Sequence, residues 1–157
     1  MTREDKTYFT RRISQGNKSD IIVVVYDIYL AYEDDAKLAL RKNDTEGFGT
    51  AVQHMKDCVA HLVDALDFTY DIANKLYPLY DYVQRCLAKS LYQKKAAPLD
   101  EAAAVMLELR EAFIEVAKAD ESSQQMQNAE TVVAGYTYGR DSLNEVSIGG
   151  VNRGFYA

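Results

Sequence analysis

The segment Phe48-Gly49-Thr50-Ala51-Val52-Gln53-His54-Met55-Lys56-Asp57-Cys58-Val59-Ala60-His61-Leu62-Val63-Asp64-Ala65-Leu66 places large apolar side chains at Phe48, Val52, Met55, Val59, Leu62 and Leu66, in steps of 4, 3, 4, 3 and 4. An α-helix turns once in about 3.6 residues, so these steps lay one stripe along a helix; a strand would need steps of two. Ile72, Leu76, Leu79, Val83 and Cys86, with Leu87 alongside, repeat the spacing, and so do Ala102, Met106, Leu109, Phe113 and Val116. Three such seams predict three amphipathic helices packed as in a bundle. Asn43 with Glu46 three residues on reads as a capping box opening the first run. Pro98-Leu99-Asp100-Glu101 opens the last, with acid in its first turn.

Upstream, Ile21-Ile22-Val23-Val24-Val25-Tyr26 is rich in β-branched residues and has the local character of a buried strand. A lone strand would have nothing to pair with, and residues 31–42 continue as strong helix formers, with Glu33 and Lys37 spaced for an i,i+4 ion pair. The segment therefore reads as a helix. The joints, at 43–45, about 67–70 and 93–98, are short, which makes successive helices antiparallel neighbours.

The expected fold is all-α: an antiparallel up-down-up-down four-helix bundle over residues 18–120. A short N-terminal arm or cap (residues 1–17) precedes it, and an atypical Gly/Tyr-bearing C-terminal tail (residues 121–157) follows, with five of the eight glycines. Pro78 falls inside the third run and removes the bond its N–H would make to Asn74. Such a proline costs ~3 kcal/mol or more, and it predicts a bend in that helix or a separate short first segment.

The first helix carries two apolar stripes. Ile21, Val24, Val25, Ile28 and Ala31 form one that can face the core; Ile22, Val23, Tyr26, Tyr29 and Leu30 form another. A helix apolar on two sides needs cover on both, and a four-helix bundle covers one. Ala73, Tyr77, Tyr80 and Leu91 likewise lie off the main seam of the third run. These residues predict an elongated groove that receives another chain's amphipathic segment, or that the protein's own arm or tail fills.

Composition narrows the function. The chain has 157 residues, enough for one well-buried domain, and is 48% hydrophobic and 27% charged, as folded globular chains are. A net charge of −6 leaves no basic footprint for nucleic acid. Twelve of 17 aromatics are tyrosine and none is tryptophan; an apolar ring with a polar tip suits surfaces that are alternately wet and covered. The N-terminus lacks the apolar core of a signal peptide. The most apolar stretch, residues 21–32, contains Asp27 and falls short of the ~20 residues that span a bilayer, so the expectation is a cytoplasmic protein without membrane insertion. Two cysteines, Cys58 and Cys86, make no disulfide framework.

His54, Cys58 and His61, at i, i+4 and i+7, are the one metal-like cluster and define the alternative of a metal-binding helical-bundle enzyme. No Glu-x-x-His pair accompanies them and no carboxylate shares their stripe, which lies one position around from the core seam, so they read as packing residues. Glu33-Asp34-Asp35, followed by Lys37, Arg41 and Lys42, reads as a solvated face. Gly135-Tyr136-Thr137-Tyr138-Gly139 precedes no helix pattern and makes no phosphate loop. The expectation is a binding protein, with no catalytic residue, metal or cofactor.

At this point the residues resemble a known family. Asn17-Lys18-Ser19-Asp20-Ile21-Ile22-Val23-Val24-Val25-Tyr26-Asp27 is similar to the opening helix of the flagellar export chaperone FliS family. Asp71-Ile72-Ala73-Asn74-Lys75-Leu76 with Leu79-Tyr80-Asp81-Tyr82-Val83-Gln84-Arg85 resembles its third helix. Leu99-Asp100-Glu101 and Leu107-Glu108-Leu109-Arg110-Glu111-Ala112-Phe113 resemble its fourth, and Tyr8 and Ile13 sit at the spacing of an arm tyrosine and aliphatic. The resemblance runs over roughly residues 8 to 118. It implies antiparallel helices with an N-terminal cap, and a chaperone that holds the flagellin C-terminal segment unpolymerised in an apolar groove and delivers it to the flagellar export apparatus.

On that footing the partner-binding residues are expected to be Tyr8, Ile13, Ile22, Val23, Tyr26, Tyr29, Leu30, Ala73, Tyr77, Tyr80 and Arg85, with self-association through the arm or tail as a competing contact. A related alternative is a FliS-like paralogue or adaptor in flagellar assembly with a non-flagellin client and tail-mediated self-inhibition. The chain departs from the family pattern where paired glycines become Thr69-Tyr70 and where the second of two arginines becomes Cys86. The tail beyond about residue 121 has no counterpart in that pattern.

Overall fold

A computed structural model describes residues 1–120, and among them five α-helices and no strand: α1 (Arg3–Gln15), α2 (Lys18–Arg41), α3 (Thr45–Asp64), α4 (Asp71–Gln93) and α5 (Ala97–Ala119). The tail expected over residues 121–157 lies outside the described residues. α2 packs on α3, α3 on α4, α4 on α5 and α5 on α2, closing a ring of four helices, while α1 packs on α2. α2 and α5 run in opposite directions: Asn17 meets Asp120, Asp27 meets Arg110, and Lys37 meets Asp100.

The β-branched run is helical, as the absence of a pairing partner required. Asn17 opens α2 with a reciprocal capping box to Asp20. The arm is a helix rather than a loose strap. Thr2 and Asp5 form its capping box, and Phe9 and Ile13 are buried in the same core as the bundle. α1 turns into α2 through Gly16, where an added Cβ would stand 2.8 Å from that of Asp20, so the close approach requires glycine. Arg12 then pairs with Asp27, and the Met1 amino group with Asp35.

Several local expectations are corrected. Asn43 does not cap α3. It takes a left-handed conformation (φ 56°) as the chain leaves α2, which makes Asp44 the cap, its carboxylate accepting the Gly47 N–H at 2.8 Å. Glu33 is not solvated: it is buried, and burial raises its carboxyl above the ordinary range although Lys37 lies 2.5 Å away. Asp34 is exposed. α4 runs unbroken through Pro78, so its first turns are no separate segment.

The α4 seam is also rotated. Ile72 and Leu79 are exposed, and Ala73, Leu76, Tyr80, Val83, Cys86, Leu87 and Ser90 form the buried stripe. Leu76, Val83, Cys86 and Leu87 belong to both stripes, so spacing alone supports either. The inward choice gives the Tyr80 hydroxyl a partner and sets the small Ala73 and Ser90 against the core. Ser90 Oγ then donates to the Lys95 carbonyl at 2.6 Å, beyond the left-handed Lys94 (φ 53°) that ends the helix.

The seam of α3 is buried as its period predicts, Leu66 partly so. In α5, Pro98 stands in the first turn and Leu99, Ala102 and Met106 are buried. Leu109 and Phe113 are only partly covered, and Val116 is exposed. The core therefore thins toward the end of the bundle where α5 finishes and α2 begins.

Candidate functional site

At that end, four helix termini leave an apolar cavity of about 190 Å³. α3 contributes Leu62 and Leu66, α4 contributes Tyr70, Ile72, Ala73, Leu76 and Tyr80, and α2 and α5 contribute Ile22 and Phe113. α4 reaches this position because the joint after α3 is closed by Asp67, whose carboxylate accepts the Thr69 N–H (2.9 Å) and hydroxyl (2.6 Å). Those two bonds also hold the Asp67 carboxyl below its usual range, and Asp67 is the one charged group lining the cavity. Tyr80 donates to or accepts from Tyr26 (2.6 Å between hydroxyl oxygens), and the Tyr26 ring lies 5.7 Å from that of Phe113. Burial raises both phenols above their ordinary pKa, that of Tyr26 strongly, so both stay neutral.

The rim is unusually apolar for a surface. Tyr70 is 65% exposed, Ile72 59% and Tyr77 46%, and Phe68 meets Tyr77 edge-on at 6.0 Å. A contiguous patch of this kind marks an interaction site rather than scattered surface apolar residues. The cavity is smaller than the roughly 300–1,000 Å³ of small-molecule pockets. It suits one or two apolar side chains of a longer segment, held in place by the aromatic rim.

The expected contact residues divide among several places. Ile22, Ala73 and Tyr80 line the cavity, Tyr26 stands behind Tyr80, and Tyr77 flanks the rim. Val23, Tyr26, Tyr29, Ala73, Tyr80 and Ile13 are buried, so the stripe of α2 expected to face a partner faces the interior: Tyr26 meets α4 and α5, and Tyr29 lies near Cys58 of α3 and Cys86 of α4. The Tyr29 hydroxyl is buried without a hydrogen-bond partner. Both sides of α2 are thus covered by the protein itself, α1 supplying Phe9 and Ile13. Half-buried Leu30 faces Ala103 and Leu107 of α5. Tyr8 is exposed on α1 under the Arg12 guanidinium (5.5 Å), and Arg85 is exposed and pairs with Asp81 at 3.1 Å.

Leu66, Tyr70, Ile72 and Phe113 also line the cavity and do not stand among the contact residues expected from the sequence. Leu66, Ile72 and Phe113 each fit a core seam by spacing. Tyr70 carried a signal, since it is an aromatic at a joint where the FliS pattern has glycine.

A larger cavity of about 540 Å³ lies at the far end, between Lys6 of α1, Tyr32 and Asp35 of α2, and Glu46 and His54 of α3. Charged groups of both signs line it. His54 stacks on Tyr32 at 4.6 Å, its Nδ1 is buried without a partner, and burial lowers its pKa. Cys58 is fully buried, and burial raises its thiol far above the ordinary value, which suits packing rather than ligation. Among the described residues no group of three His, Cys, Asp or Glu side chains is disposed to hold a metal ion, and no helix is long and apolar enough to cross a membrane. Both cysteines are free.

Residues 1–120, the whole of the described structure, match the family described as flagellar protein FliS. The chain belongs to that family, whose role is that of a chaperone in flagellar assembly and export. No curated protein sequence matches the chain significantly.

Proposed function

We propose that, as a FliS-family chaperone, this protein binds the C-terminal amphipathic segment of flagellin in the cytoplasm, keeps it from polymerising early and presents it to the flagellar export apparatus. It acts by binding and not as an enzyme, on an up-down-up-down bundle spanning residues 18–120 that α1 caps. The observation that carries the reading is the apolar cavity, with Asp67 its one charged lining residue, and its exposed rim of Phe68, Tyr70, Ile72 and Tyr77. An amphipathic helix presents apolar side chains at i, i+3 and i+4, and one turn of such a helix matches a cavity that holds one or two side chains. The client contact surface is then centred on Ile22, Leu66, Tyr70, Ile72, Tyr77 and Phe113, with Tyr26, Tyr29 and Tyr80 supporting it from within.

The test is co-purification with full-length flagellin and with flagellin lacking its last helix, using wild type and the Ile72→Asp variant. Retention of full-length flagellin by wild type alone is expected. Equal retention of both flagellin forms would remove the C-terminal segment from the proposal, and undiminished binding by Ile72→Asp would remove the cavity.

A further inference from the structure

We propose that residues 131–139 of this chain dock in the cavity between α3 and α4, so that the site is occupied by the protein's own tail until a client displaces it. The inference rests on the cavity assigned above, but its test contains no flagellin, so the two can fail separately.

The point at which the chain leaves the bundle favours this occupant. The carbonyl of Asp120 accepts from Asn17 Nδ2 at 3.0 Å, and its carboxylate accepts the Ser19 hydroxyl at 2.6 Å. Both partners belong to the start of α2, and Ile22, which lines the cavity, is one turn beyond Ser19. With a rise of about 1.5 Å per residue, Phe113 on the opposite wall is roughly 10 Å along α5 from Asp120. The tail therefore starts at the same end of the molecule as the cavity. Eleven residues separate Asp120 from Val132. Extended, they span up to about 36–40 Å, and as a flexible chain roughly 18 Å, so a return to the cavity is within easy reach.

Composition supplies the match. Thr131, Val132, Val133, Ala134, Gly135, Tyr136, Thr137, Tyr138 and Gly139 form an uncharged run in an acidic chain, bracketed by Glu130 and Arg140. Valine side chains are of a size with the cavity, and tyrosines suit a rim that is partly wet. Tethering by a short linker gives an effective concentration in the millimolar range, so even a weak apolar contact is populated within one molecule. A second copy would need that concentration in free solution, which favours the tail in cis.

Full-length protein carrying Ile72→Cys and Val133→Cys tests the proposal, with Tyr92→Cys and Val133→Cys as the control. Both helix positions are exposed, and Tyr92 is about 30 Å along α4 from Ile72. Mild oxidation at micromolar protein should give a monomeric 72–133 disulfide at least tenfold faster than the 92–133 link, with the joined peptides identified by mass spectrometry. Equal rates, or a disulfide-linked dimer alone, would overturn docking in cis. Independently, Val132→Asp with Val133→Asp should raise binding of the apolar dye 1-anilinonaphthalene-8-sulfonate several-fold. Both substitutions fall beyond residue 120, where the described helices end, so unchanged dye binding would also count against the proposal.

Discussion

The hydroxyls of Tyr26 and Tyr80 meet at 2.6 Å inside the bundle, tying α2 to α4 directly behind the apolar cavity. Each phenol is about 1% exposed or less, so neither oxygen has solvent to fall back on. The pair explains why α4 turns its Ala73–Tyr80 stripe inward and leaves Ile72 for the rim.

Removing one member of that pair should therefore cost more than removing both in proportion. Tyr26→Phe leaves the Tyr80 hydroxyl buried and unpaired, a loss of about 1–3 kcal/mol, and Tyr80→Phe does the same. The double Phe variant should lose less than the sum of the two, as a urea double-mutant cycle will show. Tyr29→Phe is the contrast: its hydroxyl has no partner to lose, so stability should hold or rise.

Asp27 is shared by Arg12 of α1 and Arg110 of α5, and the Arg110 bond at 2.5 Å keeps that guanidinium firmly charged. Asp27→Asn removes the shared anion and leaves two guanidinium groups facing each other. The expected loss is about 1–3 kcal/mol. Amide exchange should accelerate most in α1, which packs on α2 and makes fewer contacts than any bundle helix. Uniform acceleration across α1–α5 would show that Asp27 does not act as a latch.

Buried Glu33 is neutralised by Lys37, which also reaches Asp100 at 2.7 Å. Since Glu33 titrates higher in the folded than in the unfolded chain, the folded state takes up its proton first. Its contribution to stability therefore grows as pH falls through the range just above the ordinary glutamate value. Lys37→Met strands the carboxylate and should cost about 3 kcal/mol at pH 7. That deficit should shrink as the pH is lowered toward the ordinary glutamate range and Glu33 protonates; a constant deficit would mean that the lysine acts through packing alone.

Two glycines near the start of α3 should respond oppositely to alanine. A Cβ on Gly49 meets nothing within 4 Å, so Gly49→Ala should gain about 0.5–1 kcal/mol in helix propensity. A Cβ on Gly47 would fall 2.2 Å from Asp44 Oδ2 and expel the capping carboxylate. Losing the cap costs ~1 kcal/mol and cancels the propensity gain. Thermal unfolding that ranks Gly47→Ala at or above Gly49→Ala would refute the capping account.

Local patterning in the sequence sets the helical class, the order of α2–α5, and the short joints between them. Those features follow from 3.6-residue periodicity, helix propensity and capping chemistry, all local in the chain. It also determined that α2 must be covered on two sides, because Tyr26 and Tyr29 oppose Val24 and Ile28 around the helix. Tertiary structure decided which side met what. α4 offers two stripes that share Leu76, Val83, Cys86 and Leu87, and only a cross-helix partner for Tyr80 selects between them. The same choice released Ile72 to the surface and built a cavity from Ile22, Leu66, Tyr70 and Phe113, residues up to 91 positions apart. Their convergence depends on how four helix ends meet, which no periodicity within one helix specifies.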